Sequence, residues 1–168
     1  MPLVPARYLF TRYQIPHNLE QHLIQVASLG RLICQNWTGS PLNQDHILTA
    51  LLLHDIGNLV KYNLKQNWTK KILTESSARN SHLPQSLTAW QELQTRFQQH
   101  YSQNADEANL AIVRELKIDP TIIKILSDHT FDDLEPLLLA RNWTKMIFFY
   151  CDLRFAPTGI VSVAKRLS

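Results

Sequence analysis

The stretch ALLLHDIGNLVKY, residues 50–62, decides how the rest of the sequence is interpreted. Four apolar residues run directly into His54 and Asp55, and Gly57 then interrupts the apolar run. Burying an unpaired polar or charged side chain costs a few kcal/mol, so buried histidines and carboxylates are normally hydrogen-bonded, ion-paired or bound to a metal. The stretch therefore predicts the end of a buried helix that carries two groups in need of partners.

Length and composition indicate one folded domain over residues 1–168, because 45% of the residues are hydrophobic and 18% are charged. The formal net charge is +3 and the pI is about 9.0, which favours an anionic ligand. The sequence lacks a dense Lys and Arg tract of the kind that a DNA-binding arm carries, so a small phosphorylated ligand, with a nucleotide as the favoured class, is expected in preference to nucleic acid.

The chain is expected to be cytoplasmic. Its two cysteines, Cys34 and Cys151, form no CxxC pair, which is typical of a reducing compartment. The first residues contain no sustained apolar core of a signal peptide, and no window reaches the roughly 18 apolar residues of a membrane span. We therefore expect no membrane association, and a homodimer is left open.

Helical periodicity dominates the sequence. Apolar spacings of three and four, only four glycines and the lack of alternating segments predict an all-α fold, a compact bundle of about six to seven helices. The first long helix is expected to begin near Pro16 and to place His22 on its apolar stripe, and Asn43 is expected to cap the second.

The remaining boundaries follow from caps and prolines. Further helices are expected over residues 84–101, from Asn104, from Pro120 and over residues 135–155. We predict a lead-in over residues 1–15 and an irregular segment over residues 60–84, which is loop or contains a short helix.

Five ionisable residues fall on apolar helix faces or at a buried helix end: His22, His54, Asp55, His129 and Asp152. Taken singly, a histidine in such a position is more often a hydrogen-bonded core residue. Taken together, imidazole and carboxylate groups from several helices are the ligand types that bind a divalent cation inside a helical bundle.

Three motifs resemble those of the HD superfamily of metal-dependent phosphohydrolases, whose pattern is H…HD…D. HLIQVASLGRLI is similar to the first motif, LLLHDIGN to the signature motif, and YCDLRFAPTGIVSVAKRL to the last. The HD dipeptide alone is a weak signal, but the three motifs at these spacings are specific. The resemblance covers about residues 13–168 and implies an HD-type helical fold with a metal site.

This resemblance implies that four residues hold one divalent ion: His22, His54, Asp55 and Asp152. Ligands of these types admit Mn, Fe, Co, Ni, Zn or Mg. Asp106 stands where some relatives have a histidine, and a second or expanded site formed by Asp106 and His129 is an alternative.

The implied function is hydrolysis of a small phosphate ester by attack of a metal-activated water. Asp55 would also orient or deprotonate that water, and Arg154 and Lys61 would neutralise the phosphate charge. A structural ion pair of Arg154 with Asp152 or Glu135 is an equally weighted alternative.

Two other classes of function stay open. Many relatives have Lys where this chain has Asn58, which favours a non-catalytic metal-binding HD domain acting as a nucleotide-binding or signalling module. A basic helical protein that binds nucleic acid is the third alternative, and it predicts a salt-sensitive affinity.

Overall fold

The computed structural model describes residues 5–127, 134–156 and 159–167, and it confirms the all-α prediction. The described residues form ten α-helices, a 3₁₀ helix at Asn58–Lys61 and one two-stranded sheet, so the expected number of six to seven helices was too low. The helices are α1 (Ala6–Arg12), α2 (His17–Gln35), α3 (Gln44–Leu53), α4 (Asn67–Arg79), α5 (Leu87–His100), α6 (Ala105–Glu115), α7 (Pro120–Ser127), α8 (Leu134–Leu139), α9 (Trp143–Leu153) and α10 (Val163–Leu167).

Helices with a strong start signal begin where the sequence predicts. Asn43 accepts a hydrogen bond from the His46 backbone N–H at 3.1 Å and thereby caps α3. Asn104 accepts hydrogen bonds from the N–H groups of Asp106 and Glu107 at 2.8 and 3.1 Å at the start of α6. Each cap satisfies backbone donors that have no partner within the helix.

The segment over residues 60–84 contains more helix than predicted, because α4 occupies Asn67–Arg79. The buried residues of α4 include Thr69, Ser76 and Ser77, so an apolar pattern reveals only part of its inner face. The Ser76 and Ser77 hydroxyls donate to helix carbonyls one turn earlier, at 2.9 and 2.8 Å. These hydrogen bonds offset the free-energy cost of burying the two hydroxyls. The predicted lead-in likewise contains α1, which buries Leu9 and Phe10.

The single helix expected over residues 135–155 is two helices, α8 and α9. Arg141 has a φ of 50°, in the left-handed region, and this residue ends the helical path. Asn142 then caps α9 by accepting from the Lys145 N–H at 3.2 Å. After α9, Phe155–Ala156 (β1) pairs antiparallel with Gly159–Ile160 (β2), in the register Phe155 with Ile160.

The chain divides into two compact units, and a single domain over residues 1–168 stays a prediction. The first unit combines Met1–Gln21 with Asp55–Ile112. In it α5 packs against α4 and against the 3₁₀ helix. Its core includes Tyr13, Leu59, Leu73 and Trp90, each at most 2% exposed.

The second unit combines His22–His54 with Val113–Ser168. In it α3 packs against α7 and α9, and α8 and α10 pack on α9. Its core includes Leu23, Ile47, Leu51 and Phe148, which are fully buried. Within the described residues, no helix combines the length and the apolar character that crossing a membrane requires.

Candidate metal centre

Three helices of the second unit deliver the candidate ligands. His22 lies on α2, His54 is the residue that ends α3, and Asp152 lies in the last turn of α9. Gly30 permits close packing here, because a Cβ at this position of α2 would lie 2.3 Å from the Leu51 side chain of α3 and 3.7 Å from Cys151 Sγ of α9. The apolar packing of α2, α3 and α9 therefore fixes the three side chains relative to one another.

The donor atoms of these three residues converge on one point. His54 Nε2 lies 3.1 Å from Asp152 Oδ1 and 3.3 Å from His22 Nε2, and His22 Nε2 lies 3.6 Å from Asp152 Oδ1. Ligands about 2.1 Å from one ion lie about 3.0 to 3.5 Å apart at adjacent corners of an octahedron or tetrahedron. Two of the three separations fall in this range and the third, at 3.6 Å, exceeds it by about 0.1 Å, so the group is close to the spacing of adjacent ligands of one divalent cation.

A hydrogen bond outside the group sets the tautomer of His54. His54 Nδ1 lies 2.8 Å from the Leu51 carbonyl oxygen, which can only accept, so Nδ1 carries the proton. Neutral His54 then has its lone pair on Nε2, the atom that faces His22 and Asp152. Phe148 packs edge-on against the His54 ring, with the centroids 6.0 Å apart, and restricts the ring further.

The electrostatics of the group favour a cation. Burial alone raises the pKa of the Asp152 carboxyl, but the imidazoles of His22 and His54, when protonated, donate hydrogen bonds to it and add positive charge, which outweighs burial and lowers this pKa below its usual range. Asp152 is therefore an anion at neutral pH. A divalent cation would take the place of those protons and leave the imidazole lone pairs to bind it. Burial, together with the Cys34 thiol and the Asp152 carboxylate, raises the pKa of neighbouring Cys151 to about 12, so this thiol stays protonated.

The site is open on one side. The His54 side chain is 1% exposed, whereas those of His22 and Asp152 are 21% and 23% exposed. An ion held by the three would thus be anchored from the protein side and reachable from solvent.

The structure does not bring all predicted site residues into this group. Asp55 is half-buried and belongs to the first unit, and it is not among the three converging residues. Lys61 is exposed at the end of the 3₁₀ helix. The roles of Asp55 and Lys61 stay predictions.

Arg154 makes two hydrogen bonds inside the second unit. Its Nε donates to the Val161 carbonyl at 2.7 Å and its Nη1 donates to the Tyr150 hydroxyl at 2.7 Å. These contacts tie the chain after β2 to α9. They favour a structural role for Arg154. Neither hydrogen bond goes to Asp152, and the side chain of Glu135, the other carboxylate that the sequence suggested, lies outside the described residues.

The alternative second site gains no support from the described residues. Asp106 is exposed in the first turn of α6, and His129 lies outside the described residues. Across residues 5–127, 134–156 and 159–167, the only group of three or more converging His, Cys, Asp or Glu donors is that of His22, His54 and Asp152.

Sequence reasoning missed two features next to the candidate ligands. The Leu51 carbonyl belongs to the last turn of α3, where helix carbonyls lack intrahelical partners, and this rule is the signal that would have predicted its use. Asn109, 5% exposed, accepts a hydrogen bond from the Gly57 N–H at 3.2 Å and holds the turn after the HD pair. No sequence pattern links Asn109 to that turn.

Comparison with known proteins gives one match. The sequence model of the family described as HD domain matches residues 19–142. This range contains His22, His54 and Asp55 and ends before Asp152. Neither the curated proteins nor the solved structures contain a match to this chain.

Proposed function

Because this chain belongs to the HD-domain family, whose members bind divalent metals and are generally hydrolases, we propose that it is a metal-dependent phosphohydrolase acting on a small phosphate ester, with a nucleotide as the favoured substrate class. One observation carries the proposal. Two imidazole nitrogens and one carboxylate oxygen, contributed by three helices, lie 3.1 to 3.6 Å apart, and the side chains of His22 and Asp152 are partly exposed.

In this proposal His22, His54 and Asp152 hold the divalent ion, with Asp55 as a fourth ligand. His54 contributes Nε2 because its Nδ1 proton is committed to the Leu51 carbonyl. Asp152 contributes the negative charge, and its lowered pKa favours the carboxylate form. Asp55 follows His54 directly in the chain and is half-buried, which suits a carboxylate that binds or orients a ligand.

When bound, the divalent ion supplies an acidified water near neutral pH and positive charge for phosphoryl oxygens. The protein must then orient the water, remove its proton and balance the remaining phosphate charge. Asp55 is our candidate for orienting the water and accepting the proton.

Among the proposed roles, that of the cation that contacts the substrate phosphate has the least structural support. Asn58 is 8% exposed and carries no charge at the position where many relatives have Lys. Two donors of Arg154 already serve Val161 and Tyr150. Lys61 is exposed, has no ion pair among the described residues and is therefore our first candidate.

Metal content and phosphate release test the proposal together. Purified protein should carry at least one equivalent of a first-row divalent metal by mass spectrometry and release phosphate from some member of a panel of nucleotides and phosphomonoesters. His54→Ala and Asp152→Ala should each remove metal and activity while the helical circular dichroism is retained. The matched control is His82→Ala, an exposed histidine outside the group. Protein that takes up no Mn²⁺, Fe²⁺ or Zn²⁺ would refute the metal site.

A non-catalytic metal-binding HD domain, acting as a nucleotide-binding or signalling module, is the second candidate. The observation that favours it is the buried, uncharged Asn58 together with the structural hydrogen bonds of Arg154. This candidate predicts that the His54→Ala protein loses metal, whereas wild-type protein with metal binds nucleotide and yields no phosphate. Asn58→Lys, introduced to restore the cation, should then raise phosphate release if only that charge is missing.

Cytoplasmic location and a small phosphorylated partner complete the proposal. A reducing compartment suits Cys34 and Cys151, both of which are free thiols. A homodimer stays open, and the oligomeric state is directly measurable by light scattering.

A further inference from the structure

A basic and aromatic surface lies on the first unit, on the chain that follows the HD pair. It consists of Lys61, Lys65, Trp68, Lys70 and Lys71, which we call the lysine–tryptophan surface. No acidic residue occurs between residues 61 and 71, so its four lysines exceed the formal excess of three positive charges of the whole chain. From this surface we propose a second binding function in addition to metal-dependent hydrolysis: the binding of single-stranded nucleic acid. Lys61 belongs to both proposals, so the variants that test this surface leave Lys61 intact.

The lysine charges on this surface are available to a ligand. Lys71 pairs with Glu75 at 3.9 Å, but both side chains are more than half exposed, and an ion pair of this kind is weak. Within residues 5–127, 134–156 and 159–167, Lys61, Lys65 and Lys70 have no carboxylate partner. A ligand that carries several phosphates would therefore meet largely uncompensated charge.

Trp68 supplies the second component. Its side chain is 57% exposed, although an indole ring gains free energy from burial. Its Nε1 donates to the side chain of Gln66, which is also exposed. On α4, Trp68 and Lys71 lie one helical turn apart on the same exposed face. An exposed aromatic ring beside lysines is an arrangement on which unpaired bases stack while the lysines bind the backbone phosphates.

The backbone beneath this surface is held in place. Gln94 donates to the carbonyls of Leu59 and Tyr62 at 2.9 and 2.8 Å, and Gln98 donates to that of Val60 at 2.8 Å. Further along, α4 is anchored by its buried face. Because the surface is already ordered, binding loses little backbone entropy there.

The composition of the surface favours a nucleic acid over a membrane. Trp68 is its only large exposed apolar side chain, and the apolar Leu73 of α4 is fully buried in the core. A helix that inserts into a lipid interface needs a continuous apolar face. The neighbouring amides of Asn63, Gln66 and Asn67 can instead hydrogen-bond to base edges. An exposed base is needed for stacking, so single strands are favoured over duplexes.

Fluorescence anisotropy with fluorescein-labelled 20-nucleotide dT and rU tests the proposal. With about three phosphates neutralised, the plot of log K against log salt should have a slope of about −2. Trp68→Ala should weaken binding about tenfold without changing that slope, and Trp68→Phe should restore most of the affinity. The double variant Lys65→Gln/Lys70→Gln should flatten the slope by about 1.4.

Controls separate this surface from total charge and from the metal centre. Lys117→Gln/Lys124→Gln removes two exposed lysines of the other unit and should leave affinity and slope unchanged. His54→Ala protein should bind dT as wild type does, so this result is independent of the phosphohydrolase proposal. Equal weakening by both lysine pairs, equal binding to duplex DNA with no effect of Trp68→Ala, or binding to phosphatidylserine vesicles but not to dT would each overturn the proposal.

Discussion

The HD pair joins two regions that are stabilised in different ways. On one side, the donor group of His22, His54 and Asp152 points three lone-pair atoms at one another. On the other side, the signature turn, residues 55–62, is satisfied by protein groups: Asn109 accepts from the Gly57 N–H, and Gln94 and Gln98 donate to its carbonyls. The first region needs a cation to complete it, whereas the second is complete by itself. Substitutions should therefore reduce metal binding in the first region and the free energy of unfolding in the second.

Gly57→Ala should have the largest effect on stability. Gly57 has a φ of −84°, so it is not required for an unusual backbone conformation. It is required for space, because a Cβ there would lie 2.5 Å from the Asn109 backbone nitrogen and 2.9 Å from the Ala105 carbonyl oxygen of α6. Since these backbone atoms cannot move without distorting α6, we expect the free energy of unfolding, measured in urea, to fall by about 3 kcal/mol.

Gly39→Ala is the matched control for that substitution. A Cβ at Gly39 would also meet a close neighbour, at 2.6 Å, but that neighbour is the half-buried Trp37 side chain and not backbone. Moving this side chain would cost its hydrogen bond to the Ser40 carbonyl and its ring contact with Trp143, so we expect a smaller loss than for a backbone clash. A loss for Gly57→Ala no greater than that for Gly39→Ala would show that the turn does not depend on close packing with α6.

Metal should stabilise the donor group by the next largest amount. At a free Mn²⁺ concentration a hundredfold above its Kd, binding to the folded state alone adds about 2.7 kcal/mol to the free energy of unfolding. Asp152→Ala should abolish this gain, and EDTA should reverse it in wild type. Thermal unfolding with and without metal measures it. A gain that persists in Asp152→Ala would place the stabilising ion elsewhere in the protein.

Gln94→Ala should cause a smaller loss, in the signature turn. Its amide serves the Leu59 and Tyr62 carbonyls, and removing it leaves two acceptors to find water. Each lost hydrogen bond contributes about 1 kcal/mol, so we expect a loss of about 2 kcal/mol in urea unfolding. Gln99→Ala, on the exposed side of α5, should have little effect. Metal affinity should not change in either variant, and a large drop for Gln94→Ala would show that the turn and the donor group are coupled.

Sequence reasoning predicted the helices whose ends carry their own signals. Asn43, Asn104 and Pro120 mark starts that the structure reproduces, because capping depends on residues within one turn. The inner face of α4 was missed because Thr69, Ser76 and Ser77 form much of it, and the hydrogen bonds that permit their burial are not visible in an apolar pattern. The end of α8 was missed because a left-handed Arg141 has no composition signal.

In the candidate site, the sequence predicted the side chains but not the backbone groups that hydrogen-bond to them. The resemblance predicted His22, His54 and Asp152, which the structure brings together, since motifs record side chains. The group that orients His54 is the backbone carbonyl of Leu51. The signature turn is likewise held through backbone carbonyls, to which Gln94 donates. Backbone carbonyls exist at every residue, so only the three-dimensional arrangement shows which of them are used.

The smallest expected effect is a pH dependence of the free energy of unfolding, which reports how far solvent is excluded from Tyr62 in the signature turn. Burial raises the pKa of Tyr62 to about 12, a hydrogen bond from Asn18 opposes this, and the Asp55 carboxylate adds to it. In the unfolded chain a tyrosine ionises near pH 10. Between about pH 10 and 12 the folded state therefore holds a proton that the unfolded state has lost, so the Tyr62 contribution to stability is complete below pH 10 and falls as pH rises. Urea unfolding at about pH 9 and about pH 11 should show a larger drop for wild type than for Tyr62→Phe, whereas Tyr8→Phe, at a 55% exposed side chain, should behave as wild type. An equal decrease in the free energy of unfolding for wild type and Tyr62→Phe would mean that water reaches the phenol. The turn would then exclude solvent less than its hydrogen bonds to Gln94 and Gln98 imply.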